Sequence, residues 1–461
     1  MTSQGQGYRK SLLAIVLVLL FWLATIPTFA QPNPNSSGVP GGPFSTAFRV
    51  QNLGSSEATC TYVVYKADGT QAFNSPLPSI SPGASALVYT PTTPGFPSGV
   101  FAATISCDQP VAAVVNYSDS DSGDTFVGVS SPATKLYVPG VYDNYYNYYT
   151  SLRVMNASPN NNNVTIKYYD GATEVTSEKD TFTLNGNGSS AVIHEGRSGF
   201  VNNKIYSAVI EGSGPLAAVV QIYGRGLYEN QLYSYTAFSN GAPKAYVPLV
   251  MSNYYGYDTA TAVQNIGTAP TTVRVTYSNG LQQTLNLAVG QSQTLLDFNL
   301  LPNSNQSYSA VVESISSPPQ NIIVTVNESR RNTKLATTYE GFFGGAKDLV
   351  APIVMKSYYG YNSSITCQNI GTGPANISVG YKGEATGSGP INVPLAPKVN
   401  NLGVNQSQVI LQQLDQSLPN GFIGSAQISS NQDIICVVNQ SNQAVGATQD
   451  QLYAYNAIIQ P

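Results

Sequence analysis

The chain is 461 residues long, only 10% of them charged, with a formal net charge of −4. Without a basic patch to neutralise phosphates, that composition argues against a nucleic-acid partner. Hydrophobic residues make up 42% and tyrosine alone numbers 31, too apolar for a disordered chain and in keeping with a β-rich extracellular protein.

The first thirty residues stand apart. Arg9 and Lys10 precede the apolar run SLLAIVLVLLFWLATIPTFA, which ends in short residues at Ala30. A basic start, an apolar middle and a small-residue cut site make a cleaved secretory signal peptide over 1–30. An uncleaved N-terminal anchor is the alternative, because the run approaches the length of a membrane helix. No second run of that length follows, so the mature chain is expected to be secreted whole, to the extracellular space or the cell surface. Residues 31–42, QPNPNSSGVPGG, read as a flexible leader.

The remainder is too long for one core and repeats itself. YVPGVYDNYYNYYTSLRVMNAS (Tyr137–Ser158) matches YVPLVMSNYYGYDTATAVQNIG (Tyr246–Gly267), which matches VAPIVMKSYYGYNSSITCQNIG (Val350–Gly371). Pro139, Pro248 and Pro352 mark the copies, 109 and 104 residues apart. A first copy, STAFRVQNLG (Ser45–Gly54), keeps the later half of the motif and lacks the tyrosines. QLYAYNAIIQP at the end matches QLYSYTAFSNG (Gln231–Gly241), so the chain is expected to stop where its last copy completes itself. The matches set four repeats at 43–135, 136–244, 245–348 and 349–461.

Each repeat reads as strands. Val273, Val275 and Tyr277 alternate with Arg274 and Thr276, as do Val164, Ile166, Tyr168 and Ile377, Val379, Tyr381 in their copies. Strict alternation marks a strand with one buried face, and the following Asn-Gly or Asp-Gly signals a tight turn. VAAVVNYS, LAAVVQIYG, NIIVTVNES and DIICVVNQS are apolar on both faces, as central strands are. About eight strands per hundred residues, with no convincing amphipathic helix, predict an all-β sandwich of two antiparallel sheets per repeat. A propeller is the rival, but its blades repeat at about half this period.

The pattern V-Q-N-x-G, then an alternating strand, then a Gly-rich turn, resembles the tandem Ig-like or fibronectin-type β-sandwich repeats of bacterial secreted and cell-surface proteins. The resemblance implies four tandem Ig-like units and a surface or matrix role.

Four cysteines in an exported chain favour disulfides. Cys60 takes the core position of Val164, Val273 and Ile377, and Cys107 ends a strand expected to lie antiparallel beside it. Cys367 replaces Val50 and Val263 in a first strand, and Cys436 replaces Ala113 in a central one. The expected pairs are Cys60–Cys107 and Cys367–Cys436, each contributing about 3–4 kcal/mol. They fall in the terminal repeats, which in a linear array have one neighbour each to lean on.

Catalysis has little to work with. His194, in VIHEGRSG, is the only histidine, and it reads as a surface-loop residue despite Glu195 and Ser198 nearby. No HExxH, metal-spaced Cys/His set or phosphate loop occurs, so neither enzyme activity nor cofactor nor metal is expected. Asp119, Asp121 and Asp124 in SDSDSGDT suggest calcium only weakly, lacking the glycine and distal glutamate of an EF-hand loop. Sequons such as Asn116 and Asn362 are no more frequent than this composition gives by chance.

The tyrosine clusters remain: Tyr145 and Tyr146, then Tyr254, Tyr255 and Tyr257, then Tyr358, Tyr359 and Tyr361. At the start of each later repeat they suit a half-wet inter-repeat joint; the alternative is a platform on which sugar rings stack. The first repeat has no YVPLV-like strand before Phe44, and an open edge invites strand addition from another chain, with SSGVPGG as the self-supplied competitor. The expected function is a non-enzymatic structural or adhesive protein of the cell surface or extracellular matrix, a rod of Ig-like repeats able to self-assemble into a filament or sheet. The alternative is a multivalent carbohydrate-binding surface protein whose partners are cell-envelope glycans.

Overall fold

The computed structural model describes residues 39–303, 305–442, 445 and 448–460. The expected signal peptide and residues 31–38 of the leader lie outside these. The described chain is almost entirely antiparallel strand, with one four-residue α-helix at Asp297–Leu300 and four short 3₁₀ turns. Thr271–Tyr277 shows how the sequence makes a strand. Thr271, Val273, Val275 and Tyr277 are buried and the residues between them half-buried, and each buried valine contributes about 1.5–3 kcal/mol. Gly280 then turns the chain at φ 89°, and Gln282–Leu287 returns alongside.

In the third repeat two four-stranded sheets face each other. One runs Lys244–Met251, Ser307–Ser314, Thr271–Tyr277, Gln282–Leu287; the other runs Ser292–Leu296, Tyr257–Asn265, Ile322–Arg330, Ala336–Glu340. The second and fourth repeats keep this layout, but a 20-residue strand (Ile205–Gly224, Phe422–Ser441) passes from one sheet into the other and fuses them. The first repeat pairs Ser85–Tyr89, Ser45–Asn52, Val111–Ser118 and Gly123–Val127 in one sheet, and only Gln71–Pro76, Cys60–Tyr65 and Ala102–Cys107 in the other. The proline-bearing leading strand (Ala133–Tyr145, Lys244–Met251, Ala346–Lys356) has no counterpart there among the described residues. The ladders join strands of one sequence repeat, except that the leading strands begin just before the sequence boundaries, at Ala133, Lys244 and Ala346.

The V-Q-N-x-G motif closes a turn. The Asn265 amide donates to the carbonyls of Ala269 and Leu287, and its oxygen accepts from the Gly267 N–H; Asn52, Asn156 and Asn369 act alike. A Cβ on Gly267 would lie 2.5 Å from Gln320 Oε1, which is why glycine follows. Both expected disulfides are present, Cys60–Cys107 and Cys367–Cys436, each between residues directly opposite on neighbouring strands.

The expectation of a rod is not met, because the repeats close into a ring. The closing strands Gly123–Val127, Leu232–Thr236, Ala336–Glu340 and Leu452–Asn456 each pack against two of the others, in the order first, second, third, fourth and back to the first. Ser207 Oγ of the second repeat donates to Gly290 O of the third (2.7 Å), Ser309 Oγ of the third to Asn405 O of the fourth (2.6 Å), and Ser425 Oγ of the fourth to Gly83 O of the first (3.0 Å). Val350 of the fourth repeat also packs on Leu53 and Ala112 of the first. The cause is surface chemistry: the outward residues Ala262, Thr366 and Gln368 are small or polar and buried, with the Gln368 amide donating to Ala310 O of the third repeat. The reasoning that disulfides compensate terminal repeats for a missing neighbour fails with the rod, since every repeat has two.

Candidate functional site

The tyrosine clusters are the hairpins that join each leading strand to the next. Tyr254 and Tyr257 exchange backbone hydrogen bonds of 2.9 Å, as do Tyr358 and Tyr361 at 3.1 and 2.9 Å, and Tyr145 pairs with Tyr148. The two residues between have positive φ: Tyr146 48° and Asn147 67°, Tyr255 50° and Gly256 88°, Tyr359 48° and Gly360 87°. Two left-handed residues in a row make the hairpin turn whose twist matches its strands. Gly256 and Gly360 accept this freely. A tyrosine in the left-handed region is disfavoured by about 1–2 kcal/mol, where glycine or asparagine would take the same turn at lower cost.

Those three tyrosines point outward. Tyr146, Tyr255 and Tyr359 are 61%, 66% and 78% exposed, and each meets its predecessor edge-to-face at 5.0, 4.9 and 4.8 Å between ring centroids. In the second and third repeats the loop before the closing strand backs the hairpin: Arg225 N donates to Asn147 O and Arg331 N to Gly256 O, and Arg331 also forms an ion pair with Asp258. The third tyrosine of each cluster leans inward. Tyr148, which hydrogen-bonds Gln231, Tyr257 and Tyr361 all lie near Asp450, so the three hairpins gather round one end of the ring axis. Burial, helped by Glu328 and opposed by the Arg330 cation, pushes the Tyr257 phenol up to about 12.

The axis itself is polar. Fully buried Asp450 accepts the backbone N–H groups of Leu232 and Ala336, both at 2.8 Å, from two other repeats. Asp124 of the first repeat accepts Thr337 Oγ1 of the third at 2.7 Å. Around them runs a cycle of side-chain pairs: Gln221 to Tyr117 (2.8 Å), Asn116 to Gln440 (3.1 Å) and Asn439 to Glu328 (2.7 Å). At the remaining junction, where Ile222 has no polar atom, Asn327 meets the Tyr142 hydroxyl. Burial raises Asp124 and Asp450 well above the ordinary carboxylate range and Glu328 to about 8. Sequence reasoning gave these residues no axial role, since a polar group at one strand position has no local signal of burial.

His194 is not a surface-loop residue. It is fully buried, with Nδ1 3.0 Å from Thr150 O and Nε2 2.8 Å from the Tyr168 hydroxyl. Burial and the nearby Arg197 cation push its pKa well below the usual imidazole range. Its place in the repeat explains it: Asp297 accepts the Tyr277 hydroxyl at 2.7 Å in the same way, so His194 is a partner for a core tyrosine. The carboxylates of SDSDSGDT do not gather: Asp119 accepts the N–H groups of Asp121 and Ser122, while Asp124 lies in the axis.

No family model matches this chain, and no curated protein does. Two solved structures are similar in part: one from Thermotoga maritima, 1070, at TM-score 0.20 and 18% identity, covering 23% of this chain and 95% of that one; and the Anabaena sensory rhodopsin transducer, at TM-score 0.16 and 15% identity, covering 20% and 97%. Similarities this low bear on neither fold nor function.

Proposed function

We propose that this is an exported, non-enzymatic adhesive protein of the cell surface, which presents three tyrosine-tipped hairpins at one end of a closed ring and binds carbohydrate through them. The observation that carries the reading is the recurrence, three times, of an exposed tyrosine at a left-handed turn position that glycine or asparagine would take with less strain. Strain kept at an exposed position points to use, and a phenol ring with an apolar face and a polar tip suits the faces of sugar rings. Three weak contacts on one rigid body gain by effective concentration. Export is supported by the N-terminal pattern and by two disulfides, which persist in oxidising compartments. A non-catalytic role is supported by the one histidine being walled in with both ring nitrogens engaged. The joint reading is the weaker, because Tyr146, Tyr255 and Tyr359 are mostly exposed.

The test is the triple substitution Tyr146→Asn, Tyr255→Asn, Tyr359→Asn, since asparagine tolerates positive φ. Glycan-array binding by the wild-type chain, lost in the variant with an unchanged or raised Tm, is the expected result. Equal binding by both, or a Tm that falls by many degrees, would overturn the reading.

A further inference from the structure

The three hairpin tips carry the same tyrosine but not the same neighbour. In the third repeat Arg330 stands directly opposite Tyr257, and its guanidinium lies over the Tyr257 ring, 5.5 Å from the centroid. The Arg330 side chain then runs along the turn: a Cβ on Gly256 would lie 3.5 Å from Arg330 Nε and 3.6 Å from its Cγ. This tip therefore sets the exposed Tyr255 ring one residue from a glycine that a cationic side chain covers. In the second repeat the place opposite Tyr148 belongs to Gly224. In the fourth a neutral amide, Asn442 Nδ2, lies 2.9 Å from where a Cβ on Gly360 would be.

Arg330 is also an uncompensated cation. The other arginines of these loops are neutralised, Arg225 by Glu195 and Arg331 by Asp258. Glu328, two residues before Arg330, takes the Asn439 amide in the interior. Among the described residues no carboxylate pairs with Arg330, and the rest of the sequence contains no aspartate or glutamate. Lys334, at the far end of the same loop, is likewise without an ion pair there; its Nζ donates to Leu227 O at 2.9 Å. In a chain with 24 acidic residues against 20 basic ones, two such cations on one loop are a local excess of positive charge.

We propose that the third hairpin selects acidic sugars: a pyranose ring stacks on Tyr255 while its carboxylate, as in a uronic or sialic acid, pairs with Arg330. The inference rests on the reading of the tips as carbohydrate sites and adds a ligand class to one of them. A guanidinium is permanently charged and planar, and its fork of N–H groups matches a carboxylate in two parallel bonds. The contact with the Tyr257 ring holds that fork in place before a ligand arrives, which lowers the ordering cost of binding. The second and fourth tips, with Gly224 and Asn442 in the place of Arg330, take neutral rings.

A glycan array carrying uronic-acid and sialyl glycans beside their methyl esters and neutral counterparts tests this. The wild-type chain is expected to bind the free acids about 10-fold more tightly than the esters at low salt, with the preference shrinking as salt rises. Arg330→Gln should bring the acids down to the affinity of the esters, and Arg330→Lys, which keeps the charge and loses the fork, should retain part of the difference. Acids and esters bound equally by the wild-type chain, or a preference that survives Arg330→Gln, would overturn the assignment while leaving the tips as neutral-sugar sites. Sulfated glycans bound in preference to carboxylated ones would overturn it too, by giving the charge contact to a tetrahedral anion. Binding of no glycan at all would overturn the reading of the tips, and this inference with it.

Discussion

The junction between the fourth and first repeats and the junction between the first and second are made from the same parts and differ in completeness. At the first of these no peptide bond joins the contact residues, yet the set is full: Ser425 donates to Gly83 O, Lys382 Nζ donates to Pro82 O at 2.7 Å, and a leading strand lies against the neighbouring sheet. At the second the chain is continuous, yet Ala102 stands where Ser207, Ser309 and Ser425 stand. The contact relies instead on Ser189 N–H to Ala67 O (3.0 Å) and Asn185 to Asp68 O (3.0 Å). The difference teaches that the ring is held by matched surfaces and not by tethers.

The largest way to break the comparison is to remove the axial residue that ties the fourth repeat to the second and third. Asp450→Ala would leave the buried N–H groups of Leu232 and Ala336 without an acceptor, at about 1–3 kcal/mol each. We expect a loss of about 3–5 kcal/mol in denaturant unfolding, with the junctions flanking the second and third repeats exposed first to proteolysis. An Asp450→Ala ring as stable as the wild type would mean that the axis is decorative and the outer junctions suffice.

A second test separates the axis from the repeat cores by pH. Glu328 has a folded pKa of about 8 against about 4.5 unfolded, so between those values the folded state holds a proton that the unfolded state releases. Its contribution is therefore lost as pH rises from about 4.5 to 8. His194 acts with the opposite sign. Its folded pKa is depressed, the unfolded chain takes up the proton first, and stability is lost as pH falls below about 6.5. Glu328→Gln is expected to flatten the alkaline limb of a Tm–pH profile and His194→Gln the acid limb. Unchanged limbs in both variants would show that neither group titrates on unfolding.

Much of this was legible in the sequence, and the divide is physical. Alternation in Thr271–Tyr277 and the positions of Cys60 and Cys367 report a local fact, which face of a strand is inward, and local facts survive in a string of letters. The ring was not legible, because outward residues such as Ala262, Thr366 and Gln368 look like ordinary solvent-facing strand positions until another repeat covers them. His194 was misread for a related reason: the copies place Asp297 and Gln412 at its position, and three polar residues suggest a loop. The signal that could have corrected this was the tyrosine common to Tyr168, Tyr277 and Tyr381, whose buried hydroxyl needs a partner. Gly256 and Gly360 were legible: a glycine inside the second and third tyrosine clusters permits a backbone turn, and the hairpins turn there.

The smallest expected effect is also the sharpest. If the first–second junction differs from the others only in its parts, restoring one part should restore its share. Ala102→Ser puts a hydroxyl where Ser207, Ser309 and Ser425 reach the carbonyls of Gly290, Asn405 and Gly83; the equivalent carbonyl is that of Asn187, which shares their left-handed backbone at φ 60°. A new hydrogen bond of this kind is worth about 0.5–1.5 kcal/mol, and Ser425→Ala should cost a similar amount at the junction that already has it. The two changes should add when Ala102→Ser and Ser425→Ala are combined, since they lie at different junctions. No gain from Ala102→Ser would show that the Asn187 carbonyl lies out of reach of position 102. A gain of that size would mean that the Asn185 and Ser189 contacts already hold the two repeats in register.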